Sequence, residues 1–232
     1  MIQIRKSDKR GQAEHGWLSS RHSFSFGSYY DPQYLGFRDL LVINEDRVQP
    51  AQGFGRHGHR DMEIISYVIQ GELAHKDSMG SGSVLRPGDV QKMSAGSGVQ
   101  HSEFNHSDQS EVHFLQIWIR PDTLNLKPSY QEATFTAEQK HNRLQLMVSP
   151  DGSENSLKIH QDAKVYASIL EANSEITYPL NEDRHAWIQV ISGALDVGHE
   201  HLKSGDGAAL SDETIIRIHA VQKAEFLLFD LP

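Results

Sequence analysis

The fold of this chain is decided by one stretch, Gly53-Phe-Gly-Arg-His57-Gly-His59-Arg-Asp-Met-Glu63-Ile-Ile-Ser-Tyr-Val-Ile-Gln-Gly71. Its first half is rich in glycine and carries His57 and His59, and residues 64–69 have the β-branched and aromatic composition of a strand. Side chains two residues apart on a strand point to the same face, so the two imidazoles can aim at one point.

A second short set, His101-Ser-Glu103, follows two turn signals, Pro87-Gly88-Asp89 and Ala95-Gly-Ser-Gly98. The same two-residue spacing puts His101 and Glu103 on one face of a strand. Three imidazoles and one carboxylate around a common point suit a divalent transition metal. The two sets together therefore indicate a metal site.

An isolated His-x-His pair is a weak signal, because the chain has 14 histidines and contains another pair, His199-Glu200-His201. We expect that other pair to face solvent in a hairpin turn. The aromatic residues, among them Trp17, Phe26, Phe54 and Trp118, are interpreted as packing residues.

The order of the two sets resembles the two motifs of the cupin superfamily, with Glu63 four residues after His59 and Asn105 after the second set. Two departures are visible: the interval from Glu63 to Gly71 is one residue longer than usual, and Gly96-Ser-Gly98 replaces Pro-x-Gly. In ordinary cupins the first-motif glutamate is a ligand, and strand alternation leaves both Glu63 and Glu103 open for that role.

Composition excludes several classes of protein. The chain of 232 residues is 38% hydrophobic, carries a net charge of −9 and has no cysteine. It has no apolar run of about 20 residues for a membrane span and no basic cluster for direct nucleic-acid binding. The lack of cysteine excludes disulfides and, with no apolar leader at the start, predicts a cytoplasmic protein.

Many short apolar runs between turn signals predict an all-β protein. An internal repeat predicts two tandem β-barrels: Val68-Ile-Gln-Gly71 recurs as Val190-Ile-Ser-Gly193, and Leu85-Arg-Pro-Gly88 as Leu202-Lys-Ser-Gly205. We place the first domain at residues 1–130, with the metal site, and the second at 131–232.

The second domain is expected to be degenerate and to bind no metal. Opposite His57 and His59 it offers residues such as Pro179 and Asn181, and opposite His101 it offers Ile218 or His219. One metal per chain is therefore expected.

Longer strings resemble the pirin family of bicupins, whose fold is two double-stranded β-helix (jelly-roll) barrels. The resemblance covers nearly the whole chain and rests on Gly11-Gln-Ala-Glu-His-Gly16-Trp17-Leu, Tyr29-Tyr-Asp31-Pro32, His75-Lys-Asp-Ser-Met-Gly80, Met93-Ser-Ala-Gly96-Ser-Gly-Val-Gln-His101-Ser-Glu103 and Ser149-Pro-Asp-Gly152. It implies His57, His59, His101 and Glu103 as the metal ligands, with Glu103 rather than Glu63 as the carboxylate.

The chain is most similar to bacterial pirin-like proteins with quercetin 2,3-dioxygenase activity. That resemblance implies a flavonoid-like substrate, O2, opening of the heterocyclic ring and release of carbon monoxide, with Glu103 as general base. It also implies Fe(II), although Cu, Ni, Co, Mn or Zn would fit the same donors. We expect a monomer.

The alternative is a redox-gated interaction module whose metal state controls binding to a partner protein such as a transcription factor or a metabolic enzyme. An open cavity beside the metal site would favour the enzyme, and a sealed barrel mouth would favour the module.

Overall fold

The computed structural model describes all 232 residues. The chain is nearly all β, as predicted, with one α-helix, α1 (Ala137–Lys140), and two 3-10 turns at Ser7–Lys9 and Ser153–Asn155. None of its helices has the length and apolar character needed to cross a membrane.

The strands follow in chain order and are short, as the spacing of the turn signals indicates. They are β1 (Ile2–Arg5), β2 (Gly11–Glu14), β3 (Leu18–His22), β4 (Leu40–Val48), β5 (Gly53–His59), β6 (Glu63–Gln70), β7 (Leu73–Asp77), β8 (Gly82–Leu85), β9 (Asp89–Ser94), β10 (Val99–Asn105), β11 (Val112–Ile119), β12 (Ser129–Thr134), β13 (Gln145–Ser149), β14 (Leu157–Lys158), β15 (Lys164–Leu170), β16 (Glu175–Pro179), β17 (His185–Ser192), β18 (Ala194–Val197), β19 (Glu200–Lys203), β20 (Gly207–Leu210), β21 (Ile215–Ala220) and β22 (Ala224–Leu231).

The chain divides into two compact units. The first unit comprises residues 11–134 and 159–161, and the second comprises residues 1–10, 135–158 and 162–232. Strand β1 belongs to the second unit, where it pairs with β20. The sequence-based division at residue 130 instead places β1 in the first domain.

Each unit is built from a seven-stranded and a four-stranded sheet. In the first unit the strand orders are β12-β9-β6-β11-β4-β3-β2 and β5-β10-β7-β8. In the second they are β1-β20-β17-β22-β15-β13-β14 and β16-β21-β18-β19. The segment β9-β6-β11-β4 therefore corresponds to β20-β17-β22-β15, which confirms the internal repeat.

Two glycines of the repeat have the same structural role. Gly71 follows β6 with φ +81°, and Gly193 follows β17 with φ +78°, both in the left-handed region. A Cβ on Gly71 would lie 2.6 Å from the carbonyl oxygen of Glu111, and one on Gly193 would lie 2.1 Å from that of Lys223. Each glycine thus lets a neighbouring backbone approach closely where the chain turns between sheets.

The register of the second unit identifies the residues that stand at the candidate ligand positions. Aligning Leu195 with Leu73 on the paired strands puts Ile216 at the position of His101 and Ile218 at that of Glu103. Tyr178 pairs with Ile216 as His57 pairs with His101. Pro179 is therefore not the equivalent of His57, and neither Ile218 nor His219 is the equivalent of His101, contrary to what the sequence suggested.

The interior of the second unit is apolar. Ile216 and Ile218 belong to a buried cluster that also includes Leu180, Leu195 and Phe226. Isoleucine offers no lone pair to a metal, so these positions support the barrel by packing.

The substitution Gly193→Ala should lower the free energy of unfolding by about 2–4 kcal/mol, from left-handed strain together with the clash against Lys223. The expected fall in Tm is roughly 5–10 °C, measured by thermal denaturation. Gly82→Ala is the matched control, because its Cβ would meet only an ordinary contact at 3.5 Å. Equal Tm values for the two variants would contradict this account of the turn.

Candidate metal centre

The four candidate residues lie on two neighbouring antiparallel strands of the four-stranded sheet. His57 on β5 stands directly opposite His101 on β10, and His59 stands opposite Val99. The register shifts between His101 and Glu103, as in a β-bulge. Such an irregularity changes the direction of the side chains beside it. The two short motifs are thus brought together by one strand pairing.

The three imidazoles converge through their Nε2 atoms. The Nε2 atom of His101 lies 2.9 Å from Nε2 of His59 and 3.0 Å from Nε2 of His57. Two nitrogen ligands about 2.1 Å from a metal and at right angles to each other lie about 3 Å apart. The spacing of these atoms therefore fits adjacent ligands of one cation.

Hydrogen bonding sets the tautomer of His57. Its Nδ1 atom lies 2.8 Å from the carbonyl oxygen of Gly55, so Nδ1 carries the proton and donates it to that oxygen. The lone pair of His57 Nε2 then faces the other two rings. This backbone contact is the type of outer contact that orients a metal-binding histidine.

Burial keeps the other two imidazoles neutral at pH 7. The pKa of His59 is lowered to about 4 and that of His101 to about 3, mainly by burial and less by the neighbouring imidazoles. Neutral imidazole is the form that binds a metal. His59 and His101 can therefore bind a cation without first losing a proton.

Glu103 is buried, and both of its carboxylate oxygens are held from the opposite sheet. Oε1 accepts a hydrogen bond from Ser66 Oγ at 3.2 Å, and Oε2 accepts one from Gln116 Nε2 at 2.8 Å. The pKa of Glu103 is raised to about 7, mainly by burial and less by the charge of Asp46, while the hydrogen bonds from Ser66 and Gln116 oppose the rise. Glu103 is not within the group of three converging histidines, so its role as fourth ligand stays a prediction.

Glu63 has a different environment. Its Oε2 atom lies 2.9 Å from Lys92 Nζ and 3.0 Å from Ser94 Oγ, and both Glu63 and Lys92 are 1% exposed. A carboxylate in such a buried pair is costly to separate from its cation. This pairing favours Glu103 over Glu63 as the carboxylate of the site.

A cavity of about 280 Å³ opens beside His57 and Glu103. Its walls include aromatic side chains that the sequence suggested were only packing residues: Trp17, Phe26, Phe54 and Trp118. Its polar wall comes from strands β3, β4 and β11 and includes Ser20, His22, Asn44, Asp46 and Gln116.

Sequence reasoning missed this polar wall. In β4, Asn44 and Asp46 are buried on the same face as Val42 and Val48, and Glu45 and Arg47 next to them are half-buried and exposed. Polar residues at core positions of an amphipathic strand are the signal that could have revealed them.

Comparison with known proteins agrees with this architecture. The family model described as Pirin matches residues 3–119, and the model described as Quercetinase C-terminal cupin domain matches residues 146–231. A quercetin 2,3-dioxygenase from Escherichia coli strain K12 is 44% identical over 232 residues, covering 100% of this chain and 99% of that protein.

The chain belongs to the pirin family.

Further similarities to this pirin extend over the whole chain. A pirin-like protein from Caulobacter vibrioides is 38% identical and covers 99% of each sequence. The crystal structure of YhhW from Escherichia coli matches with a TM-score of 0.97 at 44% identity, covering 100% of this chain and 98% of that one. The nickel(II) complex of YhhW matches with a TM-score of 0.96 at 43% identity, covering 100% and 99%.

In this pirin, His101→Ala should weaken metal binding by more than about 100-fold, because His101 Nε2 is shared by both short contacts. Metal content after dialysis, measured by plasma mass spectrometry, should fall from one equivalent per chain to near zero. His199→Ala, an exposed histidine of the second unit, is the control and should retain the metal. A His101→Ala protein that kept one equivalent would refute the assignment.

Asp46 provides a pH-dependent test of the cavity. Burial raises the pKa of Asp46 to about 7 from 3.8, so the folded protein holds this proton more tightly than the unfolded chain. Stability from this group is therefore lost as pH rises from about 4 to 7. For metal-free protein, the Tm of Asp46→Asn minus that of wild type should increase by several degrees between pH 4.5 and 8.

The exposed residue Asp108 supplies the control for that experiment. The Tm difference between Asp108→Asn and wild type should not follow pH in this window. A difference for Asp46→Asn that is equally flat would show that this carboxyl is not held protonated by burial.

Proposed function

We propose that this pirin is a metal-dependent dioxygenase that opens the heterocyclic ring of a flavonol with O2 and releases carbon monoxide. The observation that carries the proposal is the convergence of three imidazoles at the wall of a cavity lined in part by aromatic side chains. The name of the E. coli relative, quercetin 2,3-dioxygenase, supports quercetin or a similar flavonol as substrate.

His57, His59, His101 and Glu103 are proposed to hold one divalent ion. When bound, such an ion acts as a Lewis acid that lowers the pKa of a coordinated hydroxyl. We propose Fe(II), on the strength of the family resemblance. The nickel(II) complex of YhhW supports a wider choice, because imidazole and carboxylate donors accept several divalent metals.

The surroundings of Glu103 suit it to accept a proton from the 3-hydroxyl of the substrate. Gln116 Nε2 can only donate and already occupies Oε2, so the proton goes to Oε1. Ser66 Oγ lies 3.2 Å from Oε1 and 2.8 Å from Gln116 Oε1. The hydroxyl can therefore donate to ionised Glu103, or accept from its protonated form while donating to Gln116.

The raised pKa of Glu103, about 7, places both protonation states within reach at neutral pH. A general base is most effective when its pKa lies near the working pH. Glu103 is 2% exposed, so bulk water is excluded from its carboxyl and the proton is passed between substrate and carboxyl rather than to solvent.

The cavity favours an enzyme over a redox-gated interaction module. A module needs no cavity beside its metal, whereas a flavonol needs a largely apolar cavity such as the one that Phe26, Phe54 and Trp118 help to line. The monomeric state and the cytoplasmic location stay predictions.

Metal-stripped protein reloaded with Fe(II), Ni(II), Cu(II) or Zn(II) should consume quercetin in air and release carbon monoxide with at least one metal. Glu103→Gln should lower kcat by about 100-fold or more, the usual contribution of a general base. Quercetin loss is followed by absorbance and carbon monoxide by headspace gas analysis.

His199→Ala should retain wild-type turnover and serves as the matched control. Tight stoichiometric metal binding without turnover of quercetin by any of these metals would contradict the proposal and favour the interaction module.

A further inference from the structure

The charges around the cavity restrict what it can bind. Two acidic side chains, Asp46 and Glu103, line it, and no lysine or arginine does. Apart from the ion proposed at the three imidazoles, the cavity offers no cation to pair with a carboxylate or phosphate, so an anionic group on a part of the ligand away from the metal would be buried without a counter-ion. The chemistry that fits is a neutral molecule with hydroxyl donors.

Of the two carboxyls, only Asp46 has an oxygen without a partner. Both oxygens of Glu103 accept hydrogen bonds from Ser66 and Gln116. Asp46 is 4% exposed, receives a hydrogen bond from Ser20, and leaves its Oδ1 atom without a partner. A buried acceptor in this state is costly unless a ligand or water supplies a donor.

The neighbours of Asp46 do not supply that donor. The register places Asp46 between Ser20 on β3 and Phe114 on β11. Two residues further along the same strands, His22 Nδ1 and Asn44 Oδ1 lie 2.7 Å apart and are hydrogen-bonded to each other. Ser20 therefore holds the carboxyl of Asp46, and Oδ1 can accept a hydrogen bond both from the ionised form and from a form that carries its proton on the other oxygen.

We propose that Asp46 Oδ1 accepts a hydrogen bond from a second phenolic hydroxyl of the substrate, on a ring that does not bind the metal. The proposal rests on the proposed function and adds a substrate class to it: neutral flavonols hydroxylated on a ring away from the 3-hydroxyl. Asp46 is thus a specificity-determining residue, while the histidines and Glu103 act on the reacting ring.

The test compares two flavonols on metal-loaded, full-length protein. Quercetin carries several ring hydroxyls, whereas 3-hydroxyflavone has only the 3-hydroxyl. Wild type should show a kcat/KM for quercetin about tenfold above that for 3-hydroxyflavone, the usual effect of one hydrogen bond in a buried site. Asp46→Leu should reduce this ratio to about one, mainly by raising the KM for quercetin. Asp46→Asn, which keeps a carbonyl acceptor, should reduce the ratio less.

The control Asp108→Asn should leave the ratio unchanged, and circular dichroism checks that each variant is folded. Three results would overturn the Asp46 assignment alone: equal kcat/KM for both flavonols in wild type, a ratio unchanged in both Asp46 variants, or an equal loss for both substrates. If wild type consumes neither flavonol with any metal, the proposed function fails and the assignment fails with it. If Asp46→Leu does not fold, Asp46→Asn keeps the assignment falsifiable, because a ratio unchanged in that variant would overturn it.

Discussion

The site depends on one constraint, the antiparallel register between β5 and β10. This register puts His57 opposite His101 and lets three Nε2 atoms meet. A slip of one residue would turn every side chain of a strand to the other face. Glycine at position 53 allows the two backbones to lie this close, because a Cβ there would lie 2.3 Å from the carbonyl oxygen of Glu103. The fold thus fixes the ligand geometry through backbone pairing, before any metal binds.

The two units show what the same strand arrangement does with different interiors. In the second, isoleucines at the ligand positions join an apolar cluster, and burial of that surface stabilises the unit. In the first, imidazoles and carboxyls occupy the interior, and their desolvation opposes folding. Hydrogen bonds across the barrel, such as those from Ser66 and Gln116 to Glu103, offset part of that cost. A bound metal would add to the stability of the first unit.

Sequence alone predicted the all-β fold from the spacing of short apolar runs and turns. It predicted the grouping of three histidines from their two-residue spacing and from the cupin-like order of the two sets. Strand alternation left Glu63 and Glu103 open, and only the family resemblance favoured Glu103. The ion pair of Glu63 with Lys92 forms between separate strands, which no local pattern reveals. It also misplaced the second-unit equivalents of His101, because Ile216 is identified only by strand register. The partner-free oxygen of Asp46 likewise depends on neighbours from three strands.

The most direct test of the central claim is an anomalous difference map from a crystal of the Fe(II)-loaded protein, collected at the iron absorption edge. The account predicts one strong peak per chain, about 2.1 Å from the Nε2 atoms of His57, His59 and His101 and within bonding distance of a Glu103 carboxylate oxygen. A peak bound by Glu63, a peak at the exposed His199 and His201, or no ordered iron between the three imidazoles would contradict it.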